Sequence, residues 1–292
     1  MQYEIKPLIR EEAEELDNKF YEYHDQMAVV RDGAPDNEDF VLKIVDEDGK
    51  IIAGLIGEFC NWEQMEIGTL WVDERYRGQG LGSLLLNEAE RMAKQKGCYL
   101  SILGSLSFEG HGFYKKHGYT VYKDVVDWPR GCHNYSLSKR LDEDVPRHVP
   151  TQSAEGKFEI LEGTEEDGEF IDDALEAYEQ SFVPDAHDYV KLNRKIVDAD
   201  GHILAGIIAG VTGWDGCFIH SLWVEEPYRK QGLGRALVEQ VEKEAKENGA
   251  YMMLTFTYDW SVGFVRKCGY EDAGTLYDHP RGHSMTCFRK LL

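Results

Sequence analysis

The chain has 292 residues, of which 42% are apolar, a composition typical of a folded globular protein with enough residues for two modest cores. Its 54 acidic residues outnumber its 32 basic residues, which gives a formal net charge of −22. This charge repels nucleic acid phosphates and anionic membrane surfaces, so we expect neither as a partner.

The sequence also argues against export and membrane insertion. No run approaches the roughly 18 apolar residues that a membrane span needs, and the charged start MQYEIKPLIREEAEEL contains no apolar signal segment. The six cysteines are scattered, without a CxxC pair or the spacing of metal ligands. We therefore expect a cytoplasmic protein with free thiols and no metal.

The first elements of the chain alternate between helical and extended patterns. Residues 11–27 are charged and favour a helix. The segment FVLKIVDEDGKIIAGLIGEF predicts a β-hairpin with a turn at Asp48-Gly49, and MEIGTLWV predicts a third strand. Apolar residues recur at helical spacing over 80–96, which predicts an amphipathic helix that ends at Gly97.

The following segments complete a domain. CYLSILGS predicts a strand, GHGFYKKHG a short helix, and YTVYKDVVDWPRGCHNYSLSK a closing hairpin with its turn at residues 129–131. Strands and helices are segregated in this order, which is typical of the α+β class. We expect a mixed, mostly antiparallel sheet flanked by helices.

A domain-sized segment occurs twice. Residues 43–82 align with residues 195–234 at an offset of 152, which relates Arg77 to Arg229. Farther along, GFYKKHGY and GFVRKCGY are related by an offset of 151. A period of about 150 residues is the length of a domain and far too long for a solenoid repeat.

The segment between the two copies has the composition of a linker. LDEDVPRHVPTQSAEGK contains two prolines, charges and small polar residues. We therefore predict a first domain over 1–142, a linker over 143–157 and a second domain over 158–292.

In each copy an apolar strand is followed by the turn R-x-x-G-x-G and then by a helix. The first turn of a helix exposes unpaired backbone N–H groups that bind anions. Glycines at Gly80, Gly82, Gly232 and Gly234 let an anion approach the backbone. The turn differs from the G-x-x-x-x-G-K-[ST] and G-x-G-x-x-G phosphate loops, and on its own it is also compatible with plain packing of a helix on a strand.

The order of the motifs is more specific than any one of them. LWVDE-x-x-RGQG-x-G, FYKKHGY and D-x-P-x-G follow one another, and this set resembles the GCN5-related N-acetyltransferase (GNAT) superfamily, above all its small single-domain bacterial members. The resemblance covers nearly all of both copies except the first helical region. It implies transfer of an acetyl group from acetyl-CoA to an amine by direct attack on the thioester.

The resemblance also implies where acetyl-CoA binds. The turn would hold the pyrophosphate through Arg77, Gly78, Gln79, Gly80, Gly82 and Ser83 in the first copy, and through Arg229, Lys230, Gln231, Gly232, Gly234 and Arg235 in the second. The preceding strand would pair with the pantetheine arm, and one of its N–H groups would polarise the thioester carbonyl. The strand residues are Leu70, Trp71 and Val72, and Leu222, Trp223 and Val224.

The two copies differ at the positions that would carry the proton transfers. In the family the tyrosine of FY-x-K-x-G is the acid, here Tyr114, and Val265 takes its place in the second copy. For the base, the second copy has His220 where the first has Gly68, with Glu66 nearby. Glu66 is equally interpretable as a solvated strand residue, and His220 as a hydrogen-bonded core histidine. We expect the first domain to be catalytic and the second to be degenerate.

The acceptor is the least determined feature. We expect a small-molecule amine, with residues 18–40 forming the wall of the first acceptor pocket and residues 178–189 that of the second. A protein or peptide amine is one alternative. A non-catalytic acetyl-CoA-binding or regulatory module is another. Fused copies also predict an internal pseudo-dimer, as a monomer or a homodimer.

Overall fold

The computed structural model of the protein describes residues 3–28, 37–143 and 157–292. Residues 144–156 of the predicted linker lie outside the described residues, as do residues 29–36 of the expected acceptor wall. Within the described ranges, no helix combines the length and the apolar character that crossing a membrane requires.

The order of helices and strands follows the sequence patterns in both copies. The helices are α1 (Arg10–Met27), α2 (Leu81–Gln95), α3 (His111–Lys116), α4 (Glu165–Phe182), α5 (Leu233–Glu247) and α6 (Val262–Lys267). The strands are β1 (Glu4–Pro7), β2 (Glu38–Val45), β3 (Ile51–Cys60), β4 (Gln64–Val72), β5 (Leu100–Leu106), β6 (Thr120–Val126), β7 (His133–Arg140), β8 (Leu161–Glu162), β9 (Val190–Lys191), β10 (Arg194–Val197), β11 (Ile203–Val211), β12 (Gly216–Val224), β13 (Met252–Tyr258), β14 (Glu271–Tyr277) and β15 (Ser284–Leu291).

The described residues form two compact units, and neither is one continuous copy of the repeat. Unit I consists of residues 37–124, 132–143 and 157–183, and unit II of residues 3–28, 125–131 and 184–292. Each unit therefore combines the sheet of one copy with the first helix of the other. The boundaries at 142 and 158 describe the sequence repeat and stay a prediction.

Both sheets have the predicted α+β plan. In unit I the strand order is β6-β7-β5-β4-β3-β2-β8, and in unit II it is β1-β10-β11-β12-β13-β15-β14, with β9 on β11. Neighbouring strands are antiparallel except for the pairs β4·β5 and β12·β13, which are parallel. The prediction of a mostly antiparallel sheet flanked by helices is confirmed.

The amphipathic helix after each glycine turn supplies most of the core on one face of its sheet. Leu85 and Ala89 of α2 are fully buried against β2 to β4, and Leu237 and Val241 of α5 are fully buried against β10 to β12. These residues recur at the helical spacing seen in the sequence, because only one stripe of each helix leaves the solvent.

The opposite face of each sheet is covered by a helix from the other copy. Helix α4 packs on β3 and β4 of unit I, and α1 packs on β11 and β12 of unit II. Lys43 forms an ion pair with Asp167 of α4 at 2.6 Å, and Lys195 forms the matching pair with Glu12 of α1. The first helices are thus exchanged between the copies.

A second pair of contacts repeats the same arrangement. Thr69 donates a hydrogen bond to Asp172 of α4 at 2.5 Å, and Ser221 donates one to Asp17 of α1 at 2.6 Å. The sheet residues of the matched contacts are 152 positions apart and the helix residues 155 positions apart. Since both contacts recur at these offsets, the exchange itself is duplicated.

A strand glycine allows each exchanged helix to approach its sheet. A Cβ atom on Gly54 would lie 2.2 Å from Cδ1 of Ile171, and one on Gly206 would lie 2.5 Å from Cδ1 of Leu16. Both distances are far below van der Waals contact, so a larger residue at either point would displace the buried side chain of the helix. Leu16 is 4% exposed and Ile171 is fully buried, which shows how closely helix and sheet pack.

We predict that Gly206→Ala lowers the free energy of unfolding by about 1–3 kcal/mol, because the added methyl overlaps Leu16. Gly104→Ala is the matched strand control, since a Cβ there meets nothing within 4 Å. Leu16→Ala combined with Gly206→Ala should cost less than the sum of the two single changes. Urea denaturation of the wild type, the three single variants and the double variant gives the free energy of unfolding of each. Additive costs of Leu16→Ala and Gly206→Ala would contradict the exchange.

Candidate active site

The parallel strand pair in each unit opens beside the glycine turn. In unit I, β4 and β5 pair from Gln64 and Leu100 as far as Ile67 and Leu103. Beyond that point, residues 68–72 of β4 have no partner on this side among the described strands. Their backbone N–H and C=O groups are therefore available to an added extended chain, such as the pantetheine arm.

A β-bulge marks the point where the strands separate. On the other side of β4, Ile56 pairs with Thr69 and Gly57 with Ile67, which leaves Gly68 as the extra residue. A bulge reorients the local backbone and side chain. Position 68 is the predicted base position of the first copy, so the structure places it at the opening.

Unit II has the same opening with a different residue at the bulge. Pairing of β12 with β13 ends at Ile219 and Thr255, and the register of β11 against β12 skips His220. His220 therefore lies at the mouth of the gap, and the residue is exposed although its ring is partly desolvated. The ring is near Tyr189, whose hydroxyl lies 3.2 Å from Nε2.

The glycine turns connect the open strands to their helices. Gly80 and Gly232 are the N-caps of α2 and α5, and both have left-handed φ angles, of 90° and 91°. A Cβ on Gly232 would meet nothing within 4 Å. Glycine is thus required by the backbone conformation, and the space in front of the helix N–H groups is open to an anion.

One turn carries a residue in a conformation that normally belongs to glycine. Gly78 has a φ of 75°, and Lys230, at the equivalent position of the second copy, has a φ of 61°. A non-glycine residue in this region costs about 1–2 kcal/mol. The second turn tolerates this cost in exchange for an additional cation beside the helix start.

The arginine that both turns share binds its own strand. Nε of Arg77 donates to the carbonyl of Val72 at 3.0 Å, and Nε of Arg229 donates to the carbonyl of Val224 at 2.9 Å. The sequence did not predict what covers these guanidinium groups. The side chain of Arg77 lies over the ring of Tyr178, on the exchanged helix α4.

The same cover is present on the second turn. The guanidinium carbon of Arg229 lies 5.2 Å from the ring centre of Tyr23 on α1 and 4.9 Å from that of Trp223. Both exchanged helices therefore supply a tyrosine to the opposite glycine turn. These rings hold the arginines in place, so a role in binding the pyrophosphate rests on the remaining guanidinium N–H groups.

The other predicted turn residues brace the local structure. Nε2 of Gln231 donates to the carbonyl of Pro227 at 3.0 Å, and Gln79 makes the same contact in the first turn. Ser83 is buried, with its hydroxyl 3.0 Å from Nε2 of His117, and Arg235 donates to the carbonyl of Lys267 at 2.6 Å. Ser83 and Arg235 thus connect the long helix of each unit to the short helix that follows.

A cavity of about 610 Å³ in unit II brings the predicted residues of the second copy together. It is bounded by β12, β13, the second glycine turn and α6, and α1 contributes Phe20, Tyr23 and His24. The expectation that residues 18–40 form a wall of the first pocket is therefore corrected, because α1 packs on the other sheet. The predicted members at the cavity are His220, Leu222, Trp223, Val224, Arg229, Lys230, Gly232, Gly234 and Arg235.

The charge of this cavity is opposite to that of the whole chain. Four basic residues line it, Arg229, Lys230, Arg235 and Lys267, and none of its lining residues in the described part of the chain is an aspartate or glutamate. The protein as a whole carries a net charge of −22. A cationic cavity at a helix start suits a ligand with several phosphates, so these residues fit CoA.

Tyr114 has the environment of a proton donor. It lies on α3 and is 8% exposed, and burial raises the pKa of its hydroxyl above the ordinary value. The hydroxyl has no hydrogen-bond partner in the described residues, so its proton is available. The neighbouring Phe113 lies against Gly82 of the glycine turn, 3.5 Å from where a Cβ would be. In unit II, Val265 lines the cavity at the matching position.

Glu66 is one of three carboxylates in a row across unit I. Asp39 on β2 faces Glu58 on β3, which faces Glu66 on β4. Glu66 is exposed at the surface, but neighbouring protein atoms desolvate its carboxyl group enough to raise its pKa, and the charge of Glu58 adds to this effect. A carboxylate with a raised pKa holds a proton more readily and suits a general base.

The histidines at the second cavity are shifted in the opposite direction. Burial lowers the pKa of His220, although the carboxylate of Asp17 partly offsets the change. Burial also lowers the pKa of His24 to about 4. Both rings are therefore uncharged near neutral pH.

One group of possible metal ligands has a simpler explanation. Ligand atoms of Asp198, Asp200 and His202 lie within 4.8 Å of one another at the turn between β10 and β11. The Asp198 carboxylate accepts hydrogen bonds from the backbone N–H groups of Asp200 and His202. We interpret the group as the closing contacts of a hairpin turn.

Comparison with known proteins agrees with this geometry. The sequence profile of the acetyltransferase (GNAT) family matches residues 4–119 and again residues 157–270. The chain therefore belongs to the acetyltransferase (GNAT) family, a class of N-acetyltransferases, and carries two copies of its domain.

Individual relatives match one copy at a time. Blasticidin-S acetyltransferase of Streptomyces morookaense is 36% identical over 96 residues, which are 32% of this chain and 70% of that protein. An acetyltransferase of Agrobacterium fabrum is 29% identical over 114 residues, 39% of this chain and 82% of that protein. A crystal structure of an acetyltransferase from Bacillus cereus is 39% identical, covers 46% of this chain and 95% of its own, and has a TM-score of 0.44.

We predict that Lys230→Gly weakens acetyl-CoA binding at one of two sites by about fivefold, the effect of losing about 1 kcal/mol at a helix start. The thermal midpoint should not fall, because the left-handed strain is removed. Lys230→Asn separates the loss of the charge from the removal of the strain, since asparagine tolerates this conformation but carries no charge. Calorimetric titration of the full chain should show two equivalents of acetyl-CoA. Unaltered affinity in both variants would remove Lys230 from the binding site.

Proposed function

We propose that the chain transfers an acetyl group from acetyl-CoA to the primary amine of a small molecule. The observation that carries this proposal is the open edge of β4 and of β12, each beside a bulge and a glycine turn. In the reaction the amine nitrogen bonds to the acetyl carbonyl carbon and the carbon–sulfur bond breaks. The nitrogen loses one proton and the departing thiolate gains one.

The residues of the chain divide this work between strand and helix. A backbone N–H group of residues 70–72 or 222–224 would stabilise the developing charge on the carbonyl oxygen, an effect worth about 10² to 10³ in rate. The helix N–H groups behind Gly80 and Gly232 would bind the pyrophosphate. The cationic lining of the second cavity supports cofactor binding in unit II.

In unit I, Tyr114 would supply the proton to the thiolate and Glu66 would accept one from the amine. The raised pKa of Tyr114 keeps its proton in place near neutral pH. The raised pKa of Glu66 brings its carboxylate nearer to the basicity that a general base needs. In unit II, His220 is the corresponding base, with Tyr189 at its Nε2.

Three further parts of the proposal concern context. The name of the Streptomyces relative, blasticidin-S acetyltransferase, supports a small-molecule acceptor rather than a protein. Six free cysteines support action in the reducing cytoplasm. The duplicated helix exchange supports an internal pseudo-dimer, in which one chain provides both partners.

We predict that Tyr114→Phe lowers kcat for 1,4-diaminobutane by about 10² or more, because the thiolate loses its acid. Tyr119→Phe is the control, because this buried tyrosine of the same unit shares a hydrogen bond of 2.8 Å with the hydroxyl of Ser101. The control substitution should lower the free energy of unfolding by about 1 kcal/mol and leave kcat nearly unaltered. The assay follows release of free CoA thiol. An equal loss in both variants would make the effect structural, and no thiol release with any amine would leave a binding module.

We predict that Glu58→Gln moves the acidic limb of the pH profile of kcat/KM to lower pH. The carboxylate of Glu58 raises the pKa of Glu66, so removing it lets Glu66 ionise at lower pH and act as a base there. Glu47→Gln, in the exposed β2–β3 turn, should leave the profile in place. A limb that does not move with Glu58→Gln would exclude Glu66 as the base.

A further inference from the structure

We propose that unit II acetylates an aromatic amine, uncharged at neutral pH, and that His24 of the exchanged helix α1 hydrogen-bonds this acceptor. The inference rests on the proposed function and deepens it, because it assigns the second site its own substrate class.

The charges of the cavity disfavour an ordinary alkylammonium acceptor. Its four basic side chains repel a cation, and the nearby carboxylate of Asp17 lies outside the described lining, where it accepts a hydrogen bond from Ser221. An alkylamine with a pKa of about 10 would arrive as a cation and would have to be deprotonated there. An aromatic amine is uncharged at neutral pH because its lone pair is delocalised into the ring, so it meets neither barrier.

The acceptor side of the cavity is aromatic. Phe20 and Tyr23 of α1 and Phe256 of β13 line it, and Phe256 stacks on Phe218 with ring centres 5.9 Å apart. Aromatic side chains favour a planar ring through stacked or edge-to-face contacts, worth about 0.5–1.5 kcal/mol a pair beyond area burial. A flat acceptor therefore gains contacts here that a flexible alkylamine does not.

His24 is a polar group with no partner of its own. It is 5% exposed and lines the cavity, and the rings of Phe20, Tyr258 and Trp260 surround it at 4.2, 5.0 and 5.4 Å. In the described part of the chain, neither ring nitrogen has a hydrogen-bond partner. A bound acceptor can therefore form a hydrogen bond with one of these nitrogens without displacing a protein partner.

The residues of unit II suffice for a weakly basic nucleophile. Its nitrogen attacks with a free lone pair, and the proton it loses after the carbon–nitrogen bond forms passes to His220, whose exposed ring returns it to water. The carbon–sulfur bond breaks and the thiolate takes its proton from solvent. An acid at Val265 is not required, since a thiol with a pKa of about 8.5 leaves readily as its anion.

The two units differ most where the acceptor would lie. The positions of unit II that match the row of carboxylates in unit I hold no acidic residue. Asp39, Glu58 and Glu66 correspond to Lys191, Gly210 and Phe218. One chain therefore offers a cation-binding surface in unit I and an aromatic one in unit II.

The test compares p-anisidine with 1,4-diaminobutane as acceptors of the full chain, with acetylated products identified by mass spectrometry. The measured quantity is the ratio of kcat/KM for the aromatic amine to that for the diamine. Relative to the wild type, Tyr114→Phe should raise this ratio more than tenfold, and His24→Leu should lower it more than tenfold. His24→Gln, which keeps a hydrogen-bonding group, should recover part of the ratio. His202→Leu, an exposed histidine of the same unit, is the control and should give the wild-type ratio.

Folding of each variant is checked separately from activity, by calorimetric titration for two equivalents of acetyl-CoA. Diamine acetylation without anisidine acetylation, or a ratio that His24→Leu leaves unaltered in a folded chain, would overturn the inference and leave the proposed function intact. Anisidine acetylation that disappears with Tyr114→Phe would also overturn it, since unit I would then be responsible. Failure of the wild type to acetylate either amine, with no CoA released, would refute the proposed function itself.

Discussion

The close approach of an exchanged helix to a strand glycine is the constraint on which both sites depend. At Gly54 and Gly206 the missing Cβ lets α4 and α1 lie directly on their sheets. This depth brings the tyrosines of the helices over the arginines of the glycine turns. It also brings Phe20 and His24 into the second cavity. A helix held farther out would leave the turn uncovered and the acceptor side open.

Local patterns in the sequence predicted the elements well, because hydrophobic periodicity and turn residues act over a few positions. The hairpin over 40–59 and the helix over 80–96 agree with β2, β3 and α2 to within two residues. The glycine turns and the divergence of Tyr114 and Val265 were also visible, because each appears when the two copies of the sequence are aligned, at offsets of 152 and 151.

The exchange of the first helices was not predictable from those patterns, because the apolar side of α1 fits the sheet of either copy equally well. The choice depends on which sheet the connecting segments let the helix reach. One signal was present: the helix contacts recur at an offset of 155 while the sheet recurs at 152. The left-handed backbone of Lys230 and the burial of His24 in the second unit were not predictable for a related reason, since neither leaves a trace in the sequence around it.

The exchange also sets the order in which the chain can complete itself during synthesis. Unit I has all its parts once residue 183 has been made. Unit II needs α1, which is made before the strands β2 to β7 of unit I, and β15, which ends at Leu291. Contacts this far apart in sequence form late, because a long loop must close first. The apolar side of α1 thus stays without its sheet until β11 and β12 have been made, and its many charged residues keep it hydrated in that interval.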